Sequence, residues 1–334
     1  MWGRVMLALF GLLGAVFAGV LAEGVLATDQ DAEDVEDDED QPDQAGQYGD
    51  LLDGDDDGVL TGDEPDPPAD PVVLAGGAGD DLLSGGDAAD VIDGGAGNDQ
   101  IDAHDGGDSL IAGLGDDFVW AGAGDDTLAG GDGNDALHGQ AGDDLVGGGT
   151  GDDLVAGHAG DDMMTGDDGA DSLVGGTGAD LLDGGVGNDW LAGGEGDDAL
   201  AGGPGADTLD GNDGDDALSG AFPEGDDDAA DFLNGGAGDD WLTLGAGDVA
   251  TGGEGEDSFI LSQWLAEAGY AEITDYDAAE DQIVVVYDAA AHADPRVTVE
   301  PVAGADGVRI LLDGVELATV NGTVDPADIQ LLAA

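Results

Sequence analysis

The sequence predicts an all-β fold whose centre is a parallel β-roll, and three observations carry that expectation. A nine-residue period begins at Gly76 and runs to Ile260. An apolar residue stands at the eighth position of sixteen consecutive units, from Leu83 and Ile92 through Met164 to Leu218. Glycine makes up 66 of the 334 residues, far above the roughly 7% of ordinary chains, so the backbone must repeatedly visit φ > 0. A unit that cannot bury its own apolar side chain must stack on its neighbours, which is the physical basis of repeat folds.

Four segments follow in order. Residues 1–27 begin with Arg4 and continue as an uncharged, mostly apolar run from Val5 to Ala22, 18 residues long. That length lies between a signal-peptide core (about 7–15 residues) and a spanning helix (about 18 or more), so signal anchor, cleaved signal peptide and buried helix all remain open. Val20-Leu21-Ala22 before Glu23 would be the cleavage site. Arg4 ahead of the run and acids behind it place the rest of the chain outside the membrane. Residues 28–74 are dense in Asp, Glu, Gln and Pro, and a segment with so little apolar surface is expected to be a disordered acidic linker. Within it, Asp53, Asp55, Asp57, Gly58, Thr61 and Glu64 match the twelve-residue EF-hand loop. Pro65, Pro67 and Pro68 block the helix that should follow, and Leu51-Leu52 and Val59-Leu60 resemble worn copies of the later repeat.

Residues 75–260 hold the repeat: GGAGDDLLS, GGDAADVID, GGAGNDQID and onward. Aspartate fills the sixth position of sixteen consecutive units: Asp81, Asp90, Asp99, Asp108, Asp117, Asp126, Asp135, Asp144, Asp153, Asp162, Asp171, Asp180, Asp189, Asp198, Asp207 and Asp216. Six extra residues within Gly220–Asn234, including Pro223, read as a loop insertion at about 220–230. The phase resumes at 235–243, stumbles at LGAGDVAT, where Val249 stands in place of an expected aspartate, and closes with 252–260. Residues 261–334 lose the period. Runs at Ala271–Tyr276, Gln282–Tyr287, Val297–Val299, Val308–Leu312 and Val315–Val320, separated by turn residues, predict a small β-rich C-terminal cap.

The chemistry of the repeat points to a hard cation. With 80 acidic residues against 3 basic ones, the chain carries a formal charge of −77, which excludes nucleic acid and anionic lipid surfaces as partners. There is no cysteine and hence no thiolate site. Carboxylates and carbonyls select calcium or magnesium. A glycine-rich hexapeptide turns, three residues with one inward apolar side chain form a very short strand, and two units make a coil. Sixth-position aspartates then align in columns at about 4.8 Å per layer, where divalent ions between turns convert repulsion into shared ligation. Sixteen units offer about fourteen such gaps. The folding of the repeat is therefore expected to depend on calcium.

The nonapeptide GGxGxDxUx resembles the repeats-in-toxin (RTX, haemolysin-type) calcium-binding repeat. The resemblance covers residues 76–260 and implies a right-handed β-roll that folds outside the cell at millimolar calcium, often after type I secretion directed by the C-terminus. It implies that the sixth-position aspartates are calcium ligands, joined by Asp231, Asp240 and Asp257 in the irregular units. Ile273-Thr-Asp275-Tyr276 and Asp281-Gln-Ile283 resemble the strand motif that follows such repeats, whereas the N-terminal apolar run is atypical of type I substrates.

Other readings are weaker. No His is followed by Glu and no Ser is framed as GxSxG, so a catalytic site is not expected. His104 and His158 occupy second positions about 14 Å apart, His138 a ninth position, and His292 lies outside the repeat, so no shared zinc site is expected. Phe118 and Trp120 flank inward Val119 and should point outward as filler, as should Trp190. Fifth-position Asp80, Asn98, Asp116 and Asn188 serve either as outer calcium oxygens or as turn residues tolerant of left-handed φ. The expected protein is a non-enzymatic, secreted or surface-exposed calcium binder with an adhesive, structural or sequestering role and an unidentified protein or carbohydrate partner. A non-catalytic component of a toxin or hydrolase system, or a membrane-anchored calcium buffer, would use the same residues.

Overall fold

Each unit contributes one strand, and successive strands alternate between two parallel sheets. The computed structural model describes residues 59–60, 70–221, 229–262, 269–304 and 306–333. Among them the regular structure is strand and turn, with no helix. The sheets hold 15 and 13 strands, one collecting the odd-numbered strands of the solenoid and the other the even-numbered ones. Leu82–Gly86 therefore pairs with Gln100–His104, and Val91–Ala96 with Ser109–Leu114, 18 residues on in each case. Two units per coil is the arrangement expected from the period.

The eighth-position side chains form the core. Leu83, Ile92, Ile101, Leu128, Leu137, Val146, Val155, Met164, Leu173 and Leu182 are fully buried, and the column continues through Leu233, Leu242, Ala250 and Phe259. Side chains alternate across a strand, so the eighth position and the following first position both face inward, the latter adding Ala103, Ala112 and Ala121 to the core.

The strands are longer than expected. Val91–Ala96, Thr127–Asp132 and Leu145–Thr150 each span six residues, from the seventh position of one unit to the third of the next. The turn shrinks to positions four to six. Glycine has low strand propensity, but stacking on identical backbone in the neighbouring coils overrides it. The parallel register pairs positions seven, eight, nine, two and three and passes over position one. At position two, the left-handed φ of Gly95 (100°) and Gly149 (112°) lets the backbone rejoin the ladder, and a Cβ there would strike the carbonyl of the coil before.

Irregularities are absorbed without breaking the stack. The strand Thr208–Asp213 pairs with Phe232–Ala237 across the insertion, part of which (222–228) lies outside the described residues. Val59–Leu60 pairs in parallel with Leu82 and Leu83, which agrees with its reading as a worn repeat. Residues 1–27, most of the 28–74 linker, and Asp53, Asp55, Asp57 and Glu64 lie outside the described residues.

After Ile260 the chain continues both sheets. Ala271–Ile273 lies parallel to Val249–Glu254, and Gln282–Tyr287 lies parallel to Ser258–Ser262. Val315–Val320 then joins Ala271–Ile273 and leads into an antiparallel meander with Val308–Leu312 and Val297–Pro301. Ile329–Ala333, which the sequence pattern did not single out, adds a last parallel strand to the other sheet.

Candidate metal centre

The turns bring the sixth-position aspartates into two columns, one along each edge. Asp99, Asp108, Asp117, Asp126, Asp135, Asp144, Asp153, Asp162, Asp171, Asp180, Asp189, Asp198, Asp207 and Asp216 are at most 3% exposed, and Asp81 and Asp90 are also buried. Carboxylates are rarely so buried unless paired. One oxygen of each has a repeating partner. The amide of Asp126 donates to Asp144 Oδ1 at 2.9 Å, and the amide of Asp144 donates to Asp162 Oδ1 at 2.8 Å. The carbonyls serve the ladder as well, Leu145 N donating to Asp126 O at 2.8 Å.

The second oxygen is different. Among the described residues, Oδ2 of every sixth-position aspartate from Asp99 to Asp198, and of Asp216 and Asp240, is buried without a hydrogen-bond partner. A buried acceptor left unsatisfied costs about 1–3 kcal/mol, and more when charged. Repeated along both columns, it calls for an electropositive partner.

The space around that oxygen fits a cation. A Cβ placed on first-position Gly148 would lie 2.5 Å from Asp153 Oδ2 and 3.0 Å from the carbonyl oxygen of Gly166 in the next coil. At Gly130 such a Cβ would lie 2.5 Å from Asp135 Oδ2 and against the carbonyl oxygen of Gly148 in the next coil. Oxygens from successive coils thus converge on a cradle that glycine leaves open. Ala103, Ala112 and Ala121 place a methyl group at that position in three consecutive units. Among the described residues no three His, Cys, Asp or Glu side chains cluster into a metal site by themselves. Any ion held here must draw on backbone carbonyls beside the carboxylates, as calcium readily does.

Electrostatics agree. Burial first, and neighbouring aspartates after it, push Asp144, Asp153, Asp198 and Asp240 up to about 7. The same causes raise Asp108, Asp126 and Asp216 to about 6. In each case the backbone hydrogen bond opposes the rise. Two unit charges about 5 Å apart at an effective dielectric of 20 repel by about 3 kcal/mol, so an ionised column needs counter-charge.

The irregular units revise the sequence-based picture. Asp231, Asp240 and Asp257 join the columns as expected, all at most 1% exposed. Val249 does not stand in an aspartate's place. It pairs with Phe232 at the seventh position, and fully buried Asp248 occupies the column, accepting from Asp231 N at 3.0 Å. The unit is one residue short, so 17 rather than 18 residues separate the partners. A period-nine template misses Asp248 for that reason. Asp281 extends the other column, accepting from Asp257 N at 3.2 Å.

The left-handed reading of the fifth positions does not hold. None of Asp80, Asn98, Asp116 and Asn188 is among the residues with positive φ. Their side chains form an exposed ladder of the opposite direction: Asp80 Oδ1 accepts from Asn98 N at 2.9 Å, and Asp116 Oδ1 from Asn134 N at 3.0 Å. Within the repeat the left-handed non-glycine residues are instead second positions, including His104, Gln140 and His158. Phe118 and Trp120 do lie together on the outer face, their ring centroids 4.0 Å apart. The expected separation of the histidines does not hold for one pair, because His138 Nδ1 and His158 Nε2 stand 3.2 Å apart. The six-residue strand runs from position seven through position three, so positions nine and two share its outer face and approach those of the adjacent coil.

The repeat pattern of the RTX calcium-binding nonapeptide family matches residues 73–101, 102–137, 129–164, 138–173, 165–200, 193–222 and 226–259, more than half of the chain. The chain belongs to that family. RTX repeats bind calcium, and the buried aspartate columns with their open cradles fit that property. No curated protein matches this chain. Among solved structures it is similar to the extracellular lipase LipA from Serratia marcescens at 17% identity and a TM-score of 0.20. The match covers 64% of this chain and 40% of the lipase.

Proposed function

We propose that this RTX protein is a non-enzymatic calcium binder whose roll closes only when ions enter the two aspartate columns. The observation that carries the reading is the repeated, buried and unsatisfied Oδ2. Ligands would be the sixth-position aspartates from Asp81 to Asp216 together with Asp231, Asp240 and Asp257, and Asp248 takes the place first sought at Val249. Bound calcium supplies positive charge and a flexible coordination shell at about 2.3–2.6 Å. The chain contributes the rest: Oδ1 fixes each carboxylate to the neighbouring coil, position-one glycine leaves the cradle open, and the first-position carbonyl faces it. Closing the coil aligns the eighth-position side chains, which couples ion capture to core formation. A right-handed coil is proposed on the general preference of parallel crossovers.

Secretion or surface display, with residues 1–27 as anchor or signal peptide, 28–74 as an acidic tether and 261–334 as a cap bearing an export signal, accounts best for the composition. An adhesive, structural or sequestering role accords with a stacked roll in a chain bearing so much negative charge. The alternative, a non-catalytic partner in a toxin or hydrolase system, would leave the same roll in place.

Equilibrium dialysis against millimolar calcium tests the reading. About ten or more ions per chain are expected from two columns, and one or two ions would contradict it. The mass of the exported chain separates cleaved from retained residues 1–27.

A further inference from the structure

A second kind of metal site stands on the outer face of the odd-strand sheet. We propose that His138 and His158 bind a borderline transition-metal ion such as Ni²⁺, Zn²⁺ or Cu²⁺, on ligands separate from the calcium columns. The pair is the contact of His138 Nδ1 with His158 Nε2 at 3.2 Å. Two nitrogens held about 2.0–2.1 Å from one tetrahedral ion are about 3.3 Å apart, so the donors already stand at chelating separation.

The backbone presets this geometry. His138 sits in the strand Ala136–Ala141 and pairs in register with Ala156 of the next coil, two residues before His158. His158 carries a left-handed φ of 78°, and its ring lies 5.4 Å from that of His138 at 30°.

The surroundings leave room for further ligands. An open cleft of about 430 Å³ is lined by Trp120, His138, Gln140, Ala141 and His158. Water or the Gln140 amide can complete the coordination. Trp120 closes one side, its ring 6.4 Å from His138 and inclined by only 16°. Imidazole nitrogen selects these ions over calcium, whereas carboxylate and carbonyl oxygen select calcium. The strongly acidic chain raises the local concentration of any dication.

Nickel titration of the full chain in several millimolar calcium, followed by calorimetry, tests the site, with excess calcium occupying the carboxylate columns. One equivalent should bind, and His138→Gln or His158→Gln should weaken it at least about tenfold, as losing a ligand costs no less than losing its supporting shell. His104→Gln and His292→Gln should leave it unchanged. Copper(II) should quench tryptophan fluorescence in the parent chain and less so in Trp120→Phe. Circular dichroism of the same calcium-loaded samples verifies that the roll has formed. A folded roll that takes up nickel equally with and without both histidines overturns the proposal. Failure to fold in calcium would instead overturn the calcium reading.

Discussion

In eight of the sixteen regular units an aspartate at the fifth position stands directly beside the sixth-position aspartate, and the two differ almost completely in environment. Asp143 is exposed and its Oδ1 accepts from Asp161 N at 2.9 Å, one coil onward. Asp144 is 2% exposed, accepts from Asp126 N one coil back, and keeps a second oxygen buried without a hydrogen-bond partner. One ladder caps backbone amides in water. The other stores an electrostatic demand that only a proton or a cation can meet. Acidic composition alone therefore does not mark a ligand; burial with one oxygen unsatisfied does.

The comparison predicts its largest contrast between two adjacent substitutions. Asp144→Ala should remove about two calcium ions per chain, one from each adjoining gap, while distant coils stay folded because repeats couple chiefly to neighbours. Asp143→Ala removes one exposed cap and should cost about 0.5 kcal/mol with no change in ion count. Equilibrium dialysis and hydrogen exchange read both, and equal losses from the two variants would erase the distinction.

Acidity gives the next effect. Burial holds folded Asp144 at about 7, against an ordinary value of 3.8. The folded columns then bind more protons than the unfolded chain, so the stability of the calcium-free roll rises as pH falls from about 7 towards 4 and is lost as pH climbs back through 7. Chelated protein should thus gain β signal near pH 4–5 relative to pH 8. Calcium must displace those protons, so it should bind less tightly at pH 5 than at pH 8. A chelated chain whose spectrum does not change over this range would contradict the raised carboxylates.

How much of this was legible beforehand depended on whether the period survived. The fully buried column from Leu83 to Leu182 and the aspartates from Asp81 to Asp216 followed from strict repetition, as did two units per coil. Asp248 escaped because a single missing residue shifts the template while the stacked backbone simply tightens its turn. The six-residue strands escaped because glycine disfavours strands in isolation and gains them only from neighbouring coils. The contact between His138 and His158 was hidden by the same underestimate of strand length.

A smaller effect should separate the two aligned neighbours at the irregular unit. Asp248→Ala should behave like a regular sixth-position change and release calcium from the end of its column. Val249→Ala, at the half-exposed seventh position, should leave ion number unaltered. Smallest of all should be Gly148→Ala, whose methyl would enter the cradle 2.5 Å from Asp153 Oδ2. It should lower affinity locally, and Ala112→Gly should raise it, both read as shifts in the calcium midpoint.

The central claim is that ion capture and coil closure are one event. Far-UV circular dichroism of the full chain at neutral pH, titrated with calcium and in parallel with magnesium, measures it directly. The account predicts a largely unordered spectrum in strong chelator, a cooperative rise of β signal near millimolar calcium, and little response to magnesium, whose octahedral shell the turns do not match. A chain already fully β-structured in chelator at pH 7.5 would contradict it.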